Sequence, residues 1–159
     1  MIWIRRHARP VLLGGLVAGT LDIGAACLIN KHNALIILQA IASGVLGRAA
    51  FRDGPPAAAL GLLLQWAMSV LIAAIFAVAA DRLAILKRRW LVSGLAYGVV
   101  IFFVMNFIVV PLSAAPFAPK FNLAKSLEDM LAMLLFGFVI AFFARQPPAS
   151  AGVAGTQLR

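Results

Sequence analysis

Four apolar runs, each close to the thickness of a bilayer's hydrocarbon core when wound as a helix, leave this chain few folds to choose from. They are Val11 to Ile29, Ala57 to Ala80, Leu91 to Val110 and Leu127 to Ala144. At 1.5 Å rise per residue, about 20 residues cross a core of about 30 Å. Lipid offers no partners for backbone N–H and C=O groups, so a crossing segment must satisfy them within itself as a helix or across a closed barrel. These runs lack the strict alternation of barrel strands, which selects helix. Proline marks their edges: Pro10 and the pair Pro55, Pro56 read as first-turn residues, while Pro111 and the pair Pro147, Pro148 read as stops. The fourth run opens on "SLED", where Ser126 with Asp129 three residues later reads as a capping box.

A fifth apolar piece, Ala34 to Gly47 ("ALIILQAIASGVLG"), would reach about 21 Å as a helix, too short to cross. It is expected either to lie on the interface or to dip in and return, and in the second case Ser43, Gly44 and Gly47 should pack on the bundle. The expected architecture is therefore all-α: a polytopic membrane protein with four transmembrane helices plus one short re-entrant or interfacial helix. Residues 1–145 form one membrane domain, and 146–159, without apolar periodicity, a disordered tail.

Composition narrows the function classes. The chain is 64% hydrophobic and 12% charged, where soluble domains carry about a quarter charged residues. A net charge of +9 invites a nucleic-acid reading, but the basic residues sit at the ends of apolar runs, not over a soluble face, so no nucleic-acid partner is expected. A single cysteine, Cys27, excludes an internal disulfide and multi-cysteine metal sites. The opening "MIWIRRHARP" resembles a signal peptide. The apolar stretch after it is too long for one and carries an aspartate, so it reads as a retained helix.

Of the 14 lysines and arginines, five (Lys31, Arg48, Arg52, Lys120, Lys125) fall on one side of the four spans and the rest on the other. The positive-inside rule then places both termini in the cytoplasm of a bacterial inner membrane. Trp3 and Trp90 fit interfacial anchors on that side.

One carboxylate sits within the first run, in "VAGTLDIGAAC". Asp22 shares its helix face with Gly15, Ala18, Gly19, Ala25 and Ala26, whereas Leu13, Val17, Leu21 and Leu28 lie opposite. It should point into a tight helix contact and away from lipid. By depth, Gln65 and Asn106 in the second and third spans, and Glu128 and Asp129 at the start of the fourth, fall in the same outer half, roofed by the short segment with Gln39 and followed by Arg48. Three readings of Asp22 stand: protonated and bonded to Gln65, Asn106 or a carbonyl; ionised and paired with Arg48; or titrating during function. "GLVAG" (Gly15, Gly19) and "GLAYG" (Gly94, Gly98) are small-xxx-small motifs for close helix packing, and their repetition hints at two duplicated hairpins.

Catalytic motifs are lacking: no HExxH, phosphate-binding GxxxxGK[ST], GxSxG or CxxC occurs. His7 and His32 fall on opposite sides and cannot share a metal. No metal or cofactor is expected.

At "AGTLDI", "ILQAIASGVLGRAAF" and "MNFIVVPLSA" the chain resembles the YagU-like group of small bacterial inner-membrane proteins, some of them linked to acid resistance. The resemblance implies a four-helix inner-membrane protein and makes Asp22, Gln39, Gly44, Arg48, Asn106 and Pro111 its motif positions. The leading functional expectation is a small transporter or proton-linked stress factor with a polar site in the periplasmic half. The alternatives are an accessory or scaffold subunit of a membrane complex and, third, a lipid-modifying enzyme. The expected partners are the bilayer itself and a second copy or a larger membrane complex.

Overall fold

In the computed structural model, which describes residues 2–116 and 123–145, every regular element is helical. The elements are α1 (Ile2–Asn30), α2 (Ala34–Leu46) with a 3₁₀ turn (Gly47–Phe51), α3 (Pro55–Arg82), the short α4 (Ala84–Arg88), α5 (Trp90–Val104), a π turn (Met105–Val109), α6 (Val110–Leu112) and α7 (Leu123–Ala144). Five stretches are long and apolar enough to cross a membrane: His7–Asn30, Ala34–Phe51, Pro55–Arg82, Trp90–Leu112 and Leu123–Ala144. Residues 146–159, read as a disordered tail, and the Trp3 side chain lie outside the described residues.

The long helices pair antiparallel, and glycine decides where. A Cβ on Gly15 would stand 2.6 Å from the Val70 Cα, and one on Gly19 would stand 3.0 Å from the Ser69 Cβ, so α1 and α3 approach nearly backbone to backbone. Between α5 and α7 the approach is equally close: a Cβ on Gly94 would meet Ala141 Cβ at 2.7 Å, and one on Gly98 would meet Leu134 Cα at 2.9 Å. Without a hydrophobic drive inside lipid, such close dispersion contacts are what hold helices together. The two pairs join where α1 lies on α7, around a core of Ala18, Ala73, Phe76, Phe136, Val139 and Ile140. Leu12, Leu13, Val17, Leu21 and Leu28 stay exposed on the far side of α1.

The short α2 rests on the first half of α3. Ala42 packs with Ala50 and Ala57, and Gly61 lies against the Leu38 carbonyl, where any Cβ would collide with it. Asn33 caps α2 by accepting from the Ile36 N–H at 3.0 Å. The turn before it passes through Lys31 at φ 54°, a left-handed position usually given to glycine after a helix. At its other end the Gly44 carbonyl accepts from Ala114 N–H at 2.9 Å, tying α2 to the chain beyond α6.

Several sequence expectations change. Pro10 lies inside α1, not in its first turn, and Ser126 lies inside α7, which already runs from Leu123, so "SLED" is no capping box. The cause is common to both: apolar length sets where hydrophobic residues begin and end, while the helices continue past the apolar runs. Pro111 does not stop the helix directly. A π turn, with Val110 N–H bonded to the Met105 carbonyl, carries the helix through Pro111 to Leu112 before it ends. The fifth apolar piece continues helically past Gly47, so the candidate span is 18 residues long.

Candidate functional site

Asp22 and Gln65 meet at the α1–α3 contact. Gln65 Nε2 donates to Asp22 Oδ2 at 2.7 Å, and Gln65 is 7% exposed while Asp22 is half-buried. The local sequence explains the encounter. Gly15 and Gly19 bring α1 close to α3, and Asp22 stands one turn further along the same face, where Gln65 meets it. Across the gap, α3 buries its i, i+4 row of Ala57, Gly61, Gln65, Ser69, Ala73 and Ala77, small except at Gln65.

Two further contacts brace the pair. The Ser69 hydroxyl, fully buried against Gly19, donates to the Gln65 carbonyl at 2.7 Å. Trp66 Nε1 donates to Thr20 Oγ1 at 3.2 Å, and Thr20 in turn donates to the Leu16 carbonyl at 2.8 Å. From α7, the Asp129 carboxylate lies near enough to Asp22 for the two charges to interact, and Asp129 also feels Lys125 and Glu128 on its own helix. The site is thus an acid–amide pair with a second acid in electrostatic range.

The other residues expected here go elsewhere. Arg48 is exposed on the 3₁₀ turn, and Asp22 takes its hydrogen bond from Gln65 instead. Gln39 is buried, but its Nε2 donates to the Gly54 carbonyl at 3.2 Å and locks the α2–α3 corner. Asn106 lies in the π turn and donates to the Phe102 carbonyl of its own helix at 3.0 Å. Glu128 is exposed. Gly15 and Gly19 precede the acid on its own helix and pack α1 on α3, whereas Gly94 and Gly98 pack α5 on α7.

Three features were overlooked in the sequence. Ser69 stands four residues from Gln65, a spacing that could have exposed it. Gly137 and Ala141 form a small-xxx-small motif facing Gly94 and Gly98, and a Cβ on Gly137 would stand 2.6 Å from Gly98 N. At the opposite end of α1 and α3, His7 Nε2 lies 3.1 Å from Asp81 Oδ2, and Lys87 Nζ lies 2.5 Å from Asp81 Oδ1. Beside His7 is a crevice between α1, α3 and α7 with a volume of about 10 Å³, room for about one water.

Comparison with known protein families, curated proteins and solved structures finds no match to this chain.

Proposed function

We propose that this chain is a small four-span protein of the bacterial inner membrane in which the Asp22–Gln65 pair binds and releases a proton, in solute transport or a proton-linked stress response. The observation that carries the reading is the 2.7 Å bond between Gln65 and an acid at membrane depth. An aspartate near the middle of a membrane helix costs about 2.5–3.5 kcal/mol on insertion scales, while an interhelical hydrogen bond returns about 0.6 kcal/mol on average. A carboxylate is therefore a poor choice for packing alone, and intramembrane acids more often serve ion or proton pathways. Gln65 occupies Oδ2, so exchange would run through Oδ1.

Four crossings are supported by the pairing of α1 with α3. His7–Asp81 at one end and Asp22–Gln65 towards the other make the two helices antiparallel. The end of α1 and the start of α3 then share one side, and α2 joins them without crossing. The excess of lysine and arginine on the His7 side supports cytoplasmic termini. The resemblance to YagU-like proteins belongs to the same proposal, with acid resistance as its setting. Four helices enclose little space, so a solute pathway would need a homodimer.

A second reading, an accessory subunit of a larger membrane complex, is favoured by one observation. In Trp90–Leu112, 11% of the apolar window is buried, against 28% in each of the other four stretches. Partner helices would cover that face.

The test is proton flux into liposomes holding the purified protein and a pH-sensitive dye. Asp22→Asn keeps an acceptor for Gln65, so the variant should fold as the wild type and lose the flux. Equal flux in both sinks the titrating role, and wild-type protein that carries no protons favours the accessory reading.

A further inference from the structure

The end of the bundle that carries His7 and Asp81 sets one arginine on an aromatic platform, with two more beside that platform in the chain. Arg145, just past α7, has its guanidinium carbon 4.3 Å from the Trp90 ring centroid and 4.2 Å from that of Phe142. The two rings meet edge-on at 6.0 Å, and Trp90 also contacts Phe138 at 5.4 Å. Stacking of this kind holds a guanidinium plane in place while its N–H donors stay available. Arg145 is exposed.

Next to Trp90 in the chain, Arg89 is fixed at the joint of α4 and α5. Its N–H donates to the Ile85 carbonyl at 2.8 Å, and its carbonyl accepts from Ser93 N–H at 2.9 Å. Arg88 and Arg89 are exposed. So are two apolar side chains of the same joint, Leu83 and Ile85, at 55% and 51%. Apolar side chains interleaved with arginines suit the headgroup zone, where the former dip and the latter meet phosphates. Among the described residues Asp81 is the one carboxylate at this end, and it is taken by His7 and Lys87. Among the described residues the arginines of the joint therefore lack a matching anion, and charge complementarity points to an anionic partner.

We propose that Arg88, Arg89 and Arg145 bind the phosphate of an anionic phospholipid headgroup, with Trp90 and Phe142 holding Arg145 and contacting the lipid's glycerol region. Arginine presents paired N–H donors that match two phosphate oxygens, which a lysine cannot do. The site is independent of Asp22. It rests on the membrane reading alone, and not on which leaflet this end faces.

The test uses the full chain with Trp3→Phe and Trp66→Phe, which leaves Trp90 as the sole tryptophan of the three. The protein is placed in phosphatidylcholine vesicles doped with either brominated phosphatidylglycerol or brominated phosphatidylcholine, and quenching of Trp90 is compared. The anionic lipid should be favoured at Trp90, and each arginine removed should lower that preference by about fivefold. Arg145→Gln and the exposed pair Arg88→Gln with Arg89→Gln test this separately, so a folding failure in one leaves the other. Arg145→Lys should restore part of the preference, since the charge returns without the stacked plane. Equal quenching by both lipids, or a preference that survives all the glutamine variants, overturns the proposal. Loss of the preference on adding inorganic phosphate assigns the site to a free anion and overturns it too.

Discussion

Asp22 accepts its hydrogen bond from a glutamine that has nowhere else to turn. Gln65 is buried between the small residues of α1 and its own helix, so its amide either meets Asp22 or goes unpaired in an apolar helix contact. A double-mutant cycle should register this. Asp22→Leu and Gln65→Leu, alone and together, unfolded in mixed detergent micelles, should give a coupling of about 0.6–2 kcal/mol. Additive losses would mean that the bond does not form. Residue-level legibility was uneven. Depth along the spans made Gln65 and Asn106 equal partners for Asp22, and only their position around the helix separates them. Gln65 faces α1, whereas Asn106 belongs to a helix that packs on α7 and turns to its own backbone. Arg48 looked available because it follows a short segment that a re-entrant course would bring towards the bundle. The 3₁₀ turn leaves it on the surface.

Between elements, backbone proximity sets the contacts that matter. Gly94, Gly98 and Gly137 let α5 and α7 touch, and a methyl group on Gly137 would stand 2.6 Å from Gly98 N and 2.8 Å from Gly98 Cα. Gly137→Ala should therefore destabilise the bundle by about 1–3 kcal/mol, measured by the same micelle unfolding. Gly24→Ala is the control. A Cβ there meets nothing within 4 Å, so stability should hold or rise slightly. If both substitutions behave alike, the close approach of α5 to α7 is wrong. The Gly-xxx-Gly motifs of α1 and α5 were readable because small residues at that spacing have one dominant use in membranes. Their partners were not, since apolar helices offer many faces of similar energy. Helix ends were the least legible, as Pro10 and Ser126 show. A bilayer constrains where apolar residues stop, not where backbone hydrogen bonding stops.

At the scale of the molecule, α2 decides between four crossings and five. Lys31 precedes it and Asp53 follows its 3₁₀ turn. On a Cys27→Ser background, Lys31→Cys and Asp53→Cys should react with a membrane-impermeant maleimide from the same side, and Ala84→Cys from the other. Labelling of positions 31 and 53 from opposite sides would establish five crossings and reverse the orientation of everything after α2. Sequence alone determined that the chain is helical and membrane-bound, because the bilayer imposes length and internal hydrogen bonding on any apolar run. It also determined that the face of α1 around Asp22 is small and its opposite face large, since helical periodicity follows from residue order. Only the tertiary structure decided which groups meet: Gln65 with Asp22, Asp81 with His7, Trp90 with Arg145. Those pairings depend on helix rotation and on which helices are neighbours. Both are set by how closely neighbouring backbones can approach, which no single helix encodes by itself.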